Sequence, residues 1–351
     1  GYIEFCYPRL TPPNYRLSNT ASKFCYFRRN FFMRSPAFVD CYGLVSSRLK
    51  DWMHADIENI EIYRDEPADE DDLIYRLQGR RNVMAYMAYL SGRVLRACPD
   101  LQTVSYLSTG LATHADLAEA ATLGIRIEGV KGYGDRTVAE HTITLALAAL
   151  KRIAEMDRAV RAGVWELTRC EEIAGKTFGV VGLGGIGKET AKLAAALGAE
   201  VIAWTRSGIA GEAPVRLTDL QEVLARSDIL TLHLALTPET KGFIDKTAIN
   251  SMKPGVILVN TARAEIVNET AMMAALEIGR IGHCALDVFH TEPPPPEHPL
   301  LTATNVTLTA HSAWLSNDAI DRLLIAGFAG LRRNIAESTS KTCRPDDAEM
   351  A

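Results

Sequence analysis

The chain has no apolar run approaching the ~20 residues that a membrane-spanning helix requires, so a bilayer is not expected among its partners. Its seven cysteines (Cys6, Cys25, Cys41, Cys98, Cys170, Cys284 and Cys343) are scattered, odd in number and never arranged as CxxC. That pattern argues against a disulfide framework and a zinc site, and fits a reducing cytoplasm. No HExxH pair occurs either, and no metal is expected. Excess charge is missing too: 38 Lys and Arg against 43 Asp and Glu leave a formal charge of -5. Such a balance gives no pull toward nucleic acid or an anionic membrane, which leaves small molecules as the expected partners. Acids are absent from residues 5–39, where Arg9, Arg16, Lys23, Arg28, Arg29 and Arg34 interleave with aromatics. An organelle transit segment is one reading of this stretch. Clean amphipathic spacing is missing, however, and Met33 stands just before the first strand-like run, so residues 1–36 are read as an extension without a catalytic role.

What is present is enough for two α/β domains: 351 residues, 47% of them hydrophobic. From Ala37 onward, short β-branched or apolar runs alternate with helical stretches, the signature of βαβ units and parallel sheets. The first lobe reads as strands at 38–42, 60–63, 83–87, 104–107 and 125–127. The acidic run 65–72 falls at a helix start, where the dipole favours carboxylates, and needs no metal. Residues 138–161 carry apolar positions at helical spacing and read as one linking helix, broken at Gly163. Six further strands follow, at 178–181, 201–204, 229–233, 256–260, 285–288 and 306–309, matching a doubly wound dinucleotide fold. A last helix at 317–335 is expected to return to the first lobe, ahead of a polar, frayed tail. The expected division is therefore 37–137 with 312–336 as substrate domain, 138–311 as dinucleotide domain and 337–351 as tail.

The string VVGLGGIG places GxGxxG (Gly182, Gly184, Gly187) directly after a strand and before a helix. Gly182 permits the tight turn, Gly184 lets backbone approach a pyrophosphate, and Gly187 lets helix and strand pack, with free N–H groups at Gly185 and Ile186 facing the phosphates. In an NAD site the next strand ends in an acid that holds the ribose hydroxyls. Here it ends in Thr205, Arg206 and Ser207. Lack of the carboxylate removes repulsion toward a 2′-phosphate and Arg206 offers it a fork of donors, so NADP is expected over NAD; a merely exposed loop arginine is the plainer reading.

Three polar residues lie just past consecutive strands of the second lobe: Arg263, Glu292 and His311. Parallel strands end on one edge, which brings the three beside the glycine loop. Arg263 can pair with a carboxylate and polarise an adjacent carbonyl. His311 can give a proton to a developing alkoxide, with Glu292 orienting its ring. Each also has a plainer reading, as a helix-capping arginine or a residue of a proline-rich loop. The remaining histidines are read as structural or surface groups.

These residues resemble the D-isomer-specific 2-hydroxyacid dehydrogenases, among them glyoxylate/hydroxypyruvate reductases and phosphoglycerate dehydrogenases. The strings are VAEHT (138–142), VVGLGGIG (180–187), LHLALTPETKG (232–242), VNTARAEIVNE (259–269), ALDVFHTEP (285–293) and TAHSAW (309–314). The resemblance implies a flavodoxin-like substrate domain beside a Rossmann domain, hydride transfer between NAD(P)H and a small 2-oxo or D-2-hydroxy acid, and a homodimer joined through the cofactor lobe with 138–161 as contact helix. It implies catalytic roles for Arg263, Glu292 and His311, a nicotinamide contact for Asp287, and cofactor-lining backbone at Leu234, Thr261 and Ala262. It also implies that the Ser108-Thr-Gly110 loop presents N–H groups to the substrate carboxylate, although one residue more than the commonest pattern separates Gly110 from Asp116. Trp314, three residues past His311, either shortens the substrate pocket or packs in the core. A rival likeness is to the C-terminal-binding corepressors, dinucleotide-sensing scaffolds of the same fold; Thr205-Arg206 weighs against it.

Overall fold

The computed structural model describes residues 33–211 and 213–342, so most of the N-terminal extension expected at 1–36 lies outside the described residues. Contacts divide the chain into two units. The first holds the described residues up to Gly43, then His54–Gly129 and the chain from Phe328; the second holds Leu44–Met53 and Val130–Gly327. By contacts the chain passes between the units at 130 and 328, where the sequence reading set the boundaries at 138 and 312, and the short segment Leu44–Met53 counts with the second unit.

The first unit is built on a five-stranded parallel sheet: β1 (Ala37–Phe38), β2 (Glu61–Ile62), β3 (Asn82–Ala85), β4 (Thr103–Tyr106) and β5 (Arg126–Gly129). Its order, β2-β1-β3-β4-β5, is the flavodoxin-like one. β1, β3 and β4 are buried along their whole length, as parallel strands covered on both faces must be. The acidic run opens the helix Glu70–Leu77 as expected: Asp69 accepts the Asp72 N–H at its N-terminus, and Asp65 and Asp72 pair with the buried Arg76.

The second unit carries seven parallel strands: β6 (Thr177–Val181), β7 (Glu200–Trp204), β8 (Arg216–Leu217), β9 (Ile229–Leu232), β10 (Val256–Asn260), β11 (Ile281–Leu286) and β12 (Val306–Leu308). Their order, β12-β11-β10-β9-β6-β7-β8, reverses direction between β6 and β9, the doubly wound switch point. Six strands were expected; the edge strand β8 has only two residues, one of them an arginine, too short to show a period. Alternate residues feed two cores. Val181, Ile202, Leu258 and Leu286 face one layer, and Val180, Val201, Ala203, Val259 and Ala285 face the other.

Two expectations about helices are corrected. The linking segment is two helices, Asp135–Leu150 and Ile153–Arg161, parted where Arg152 takes a left-handed backbone (φ 51°). Apolar spacing continues across the break, which is why it reads as one helix; only the first half buries its apolar positions, Val138, Ile143, Ala146 and Leu150 among them. The last helix runs Asn317–Thr342, so residues 337–342 are helical rather than frayed. Tertiary contacts within the first unit hold that extension, with Glu337 paired to Arg126 at 2.7 Å and Ser338 donating to Asn82.

Candidate active site

The sheet register of the second unit aligns Trp204, Val181, Leu232, Asn260, Leu286 and Leu308 in one row at the carboxyl edge. Each residue that follows a strand therefore emerges on the same edge, about 4.8 Å from the next strand's exit. Gly182, next after β6, has φ 97°, and a Cβ there would sit 2.6 Å from the His233 carbonyl oxygen. A Cβ at Gly187 would run into the Gly182 carbonyl. Gly184 is the opposite case: its missing Cβ points into open space at the start of the helix Gly185–Ala196, whose first-turn N–H groups have no partner within the helix. Steric need at the first and third glycines, with clearance at the second, fits a dinucleotide pyrophosphate. Gly185 and Ile186 are the residues that would hold it.

Past β7, the chain makes a turn closed by the Gly208 N–H to the Thr205 carbonyl at 3.1 Å. Thr205 starts the turn, and Arg206 and Ser207 form its exposed corner. Arg206 also acts on Glu239, whose carboxyl is held below its ordinary range by a Thr237 hydrogen bond and, in smaller part, by this guanidinium. Trp204 stacks on Phe243 at 5.4 Å beside the turn.

His311 and Glu292 meet: Nδ1 of the ring lies 2.7 Å from Glu292 Oε2, and Glu292 Oε1 accepts the Phe289 N–H at 3.0 Å. The ring is thus fixed through Nδ1, and among the described residues Nε2 has no hydrogen-bond partner. His311 has a left-handed backbone (φ 46°), uncommon for a residue with a Cβ and frequent where geometry serves a site. Asp287 holds that loop. Its fully buried carboxylate accepts the Thr309 hydroxyl at 2.6 Å and the Ser312 and Ala313 N–H groups at 3.0 and 2.9 Å, while its carbonyl accepts the His311 N–H at 2.8 Å. Sequence matching set Asp287 against the nicotinamide; in the structure its carboxylate accepts three donors of the loop, as a buried carboxylate must find partners.

Arg263 follows β10 through a second small network. Asn260 Oδ1 accepts the Ala262 N–H at 3.0 Å and Asn260 Nδ2 donates to the Arg263 carbonyl at 2.9 Å. The guanidinium donates to the Ala262 carbonyl at 2.7 Å and, among the described residues, has no carboxylate partner. A half-buried, unpaired guanidinium on the edge that carries His311 is chemically suited to an anionic ligand. Thr261 is buried with its hydroxyl 2.9 Å from that of Thr142, and Leu234 is half-buried after β9.

Trp314 is half-buried and meets Tyr133 edge to face at 6.3 Å. Gly110 belongs to the first unit and is described there: its N–H donates to Ser108 Oγ at 3.2 Å, and it precedes the short helix Leu111–Thr113. Among the other histidines, His283 pairs with the Thr307 hydroxyl at 2.9 Å and burial pushes its ring down to about 4. His141 was set aside by the sequence reading, yet its Nε2 lies 3.0 Å from the Thr309 hydroxyl that serves Asp287. Asp135 was missed as well. Its carboxyl packs against Gly185, and burial followed by the nearby Glu189 raises it above the ordinary carboxylate range. Neither residue has a spacing signal; only the packing of the helix Asp135–Leu150 on the sheet brings them to the edge.

The model of the D-isomer specific 2-hydroxyacid dehydrogenase NAD-binding domain matches residues 143–313. A glycerate dehydrogenase of Methylorubrum extorquens is 34% identical over 76% of this chain and 89% of its own. A glyoxylate reductase of Thermofilum pendens is 34% identical over 81% and 83%, respectively. Among solved structures, the pyruvate reductase of Chlamydomonas reinhardtii covers 87% of this chain and 98% of its own at 25% identity and a TM-score of 0.75. These relatives carry enzyme names, and the likeness to corepressor scaffolds rests on the fold alone.

Proposed function

Since the chain belongs to the D-isomer-specific 2-hydroxyacid dehydrogenases, an NAD(P)-dependent oxidoreductase family, we propose that it reduces a small 2-oxo acid of the glyoxylate or hydroxypyruvate kind to its D-2-hydroxy acid, with NADP preferred over NAD. The observation that carries the reading is the 2.7 Å pairing of His311 Nδ1 with Glu292 on the edge that also bears the unpaired Arg263. A bound nicotinamide would supply or take the hydride. Arg263 binds the substrate carboxylate and polarises the 2-oxo group. His311 Nε2 donates the proton that the reduced oxygen requires, and Glu292 keeps the ring aimed through Nδ1 and balances the imidazolium charge. Gly110 and Trp314 are the proposed substrate-side residues. Thr205, Arg206 and Ser207 are proposed for the 2′-phosphate, supported by a turn that leaves Arg206 and Ser207 at an exposed corner with no carboxylate at the strand end.

A homodimer is part of the proposal. The sequence placed the contact on 138–161, and exposed apolar surface lies in its second half and just beyond it: Ile153 and Val160 are 51% and 53% exposed, and Trp165 and Leu167 83% and 99%. Apolar exposure on that scale, contiguous in sequence, suits a second copy of the chain. Sedimentation at micromolar concentration tests it. A reducing, cytoplasmic setting is proposed from Cys41, Cys98, Cys170 and Cys284, the described cysteines, none of which forms a disulfide; no described helix is long and apolar enough to cross a membrane.

The function is tested by measuring kcat/KM for glyoxylate, hydroxypyruvate, pyruvate and branched 2-oxo acids with NADPH and with NADH. Turnover of at least one short acid, faster with NADPH, is expected. Negligible turnover of every acid refutes the reading.

A further inference from the structure

The segment that follows the turn after β7 has a second cation against it that no motif singled out. Lys188 lies in the first turn of the helix Gly185–Ala196, one residue past the third glycine of the loop. Its Nζ reaches across to the segment after β7, where a Cβ placed on Gly211 would be 3.2 Å from it. Gly211 itself takes φ 64°, which with the absent side chain leaves room for the ammonium to lie against the backbone. Glu189, the next residue, pairs with Lys192 at 2.7 Å and faces Arg136 at 3.6 Å. Among the described residues, which leave out Glu212, Lys188 has no hydrogen-bond or ion-pair partner.

An ammonium held over a loop, with no partner among the described residues, is chemically suited to an anionic ligand. The anion that belongs between a glycine-loop helix and the end of the following strand is a phosphate on the adenosine ribose. We propose that Lys188 is a specificity-determining residue for NADP, closing the 2′-phosphate site from the helix side while Arg206 and Ser207 close it from the turn. This rests on the NADP reading above and adds to it a residue from a different element. Lysine suits the place: its compact charge on a flexible stem can approach a phosphate from the side, whereas Arg206 offers the planar fork.

The test uses the full chain and two fragments that differ only in the phosphate concerned, 2′,5′-ADP and 5′-ADP, with dissociation constants measured by calorimetry on wild type, Lys188→Met and Lys188→Arg. Methionine keeps the apolar stem and drops the charge. In Lys188→Met, 2′,5′-ADP is expected to weaken by about ten- to hundredfold and 5′-ADP by less than about twofold, and Lys188→Arg is expected to retain most of the 2′,5′-ADP affinity. Equal weakening of both fragments would move Lys188 to the pyrophosphate, and no weakening of either would leave it in solvent; both outcomes overturn the proposal. Wild type that binds the two fragments equally overturns the NADP reading itself. Wild type that prefers 2′,5′-ADP, with the preference intact in Lys188→Met, overturns only the role of the lysine.

Discussion

Replacing Asp287 by Asn tests how the chain holds His311 in place. The wild-type carboxylate is fully buried and accepts three donors: the Thr309 hydroxyl at 2.6 Å and the N–H groups of Ser312 and Ala313 at 3.0 and 2.9 Å. Asparagine has the same shape but turns one acceptor into a donor. The less costly orientation keeps the oxygen toward Thr309 and Ser312 and sets the amide NH2 against the Ala313 N–H. One buried N–H left unsatisfied costs about 1–3 kcal/mol, and exchanging a charged acceptor for a neutral one in the other two bonds costs roughly another 1 kcal/mol. A total of about 2–4 kcal/mol on a unit of this size corresponds to a fall of roughly 4–16 °C in melting temperature. Activity should fall as well. Released from Asp287, the loop can relax the left-handed backbone of His311, and a displacement of about 1 Å at a proton donor costs on the order of a hundredfold in rate. Calorimetric melting and kcat at saturating substrate are the two measurements. Thr309→Val serves as the graded control, since it removes one hydroxyl donor and should cost about 1 kcal/mol. An Asn variant that melts within about 1 °C of wild type and keeps its kcat would refute the argument, because the loop would then hold His311 without the carboxylate.

His311→Gln should lower kcat by roughly 10²- to 10⁴-fold while the NADPH dissociation constant stays within about twofold; near-normal turnover would remove the ring from the proton transfer. The pair Thr205→Asp with Arg206→Ala should turn a preference for NADPH of about ten- to hundredfold in kcat/KM toward NADH, and an unchanged ratio would mean that Arg206 serves only Glu239 and solvent. In the first unit, the buried Asp40 accepts the N–H groups of Tyr86, Met87 and Ala88 at 2.6 to 2.7 Å, yet burial outweighs them and pushes its carboxyl up to about 6. An acid raised in the folded state contributes a penalty that is absent below its unfolded value and complete above its folded one. Stability should therefore drop by about 3 kcal/mol between pH 4 and 7 on this account. Asp40→Asn cannot titrate there, so its deficit in melting temperature relative to wild type should shrink as pH rises; a deficit that grows would show that the three N–H donors win.

The periodic parts of this protein were legible in its residues. Ten of the strands outlined above fall within two residues of their expected positions at the carboxyl end because β-branched runs between turn residues carry a local signal. The glycine loop was legible for a similar reason: the strand, turn and helix that give Gly182, Gly184 and Gly187 their roles are adjacent in sequence. His311 and Glu292 could be paired in advance because parallel strands share an exit edge, and the 2.7 Å contact agrees with that inference. Tertiary structure alone decided the rest. Family matching gave Asp287 a nicotinamide contact, and only the path of the loop after β12 shows the two N–H groups and the hydroxyl that its carboxylate also accepts. Apolar spacing runs through Lys151 and Arg152 without interruption, while the left-handed turn at Arg152 depends on which half of the segment finds a sheet to cover. Asp135 against Gly185 and Lys188 over Gly211 join residues about 50 and 23 positions apart, through side chains with no period and no motif. A local pattern records which face of an element seeks burial; it holds no record of which distant polar group will stand opposite once that face is buried, and this site is made from such meetings.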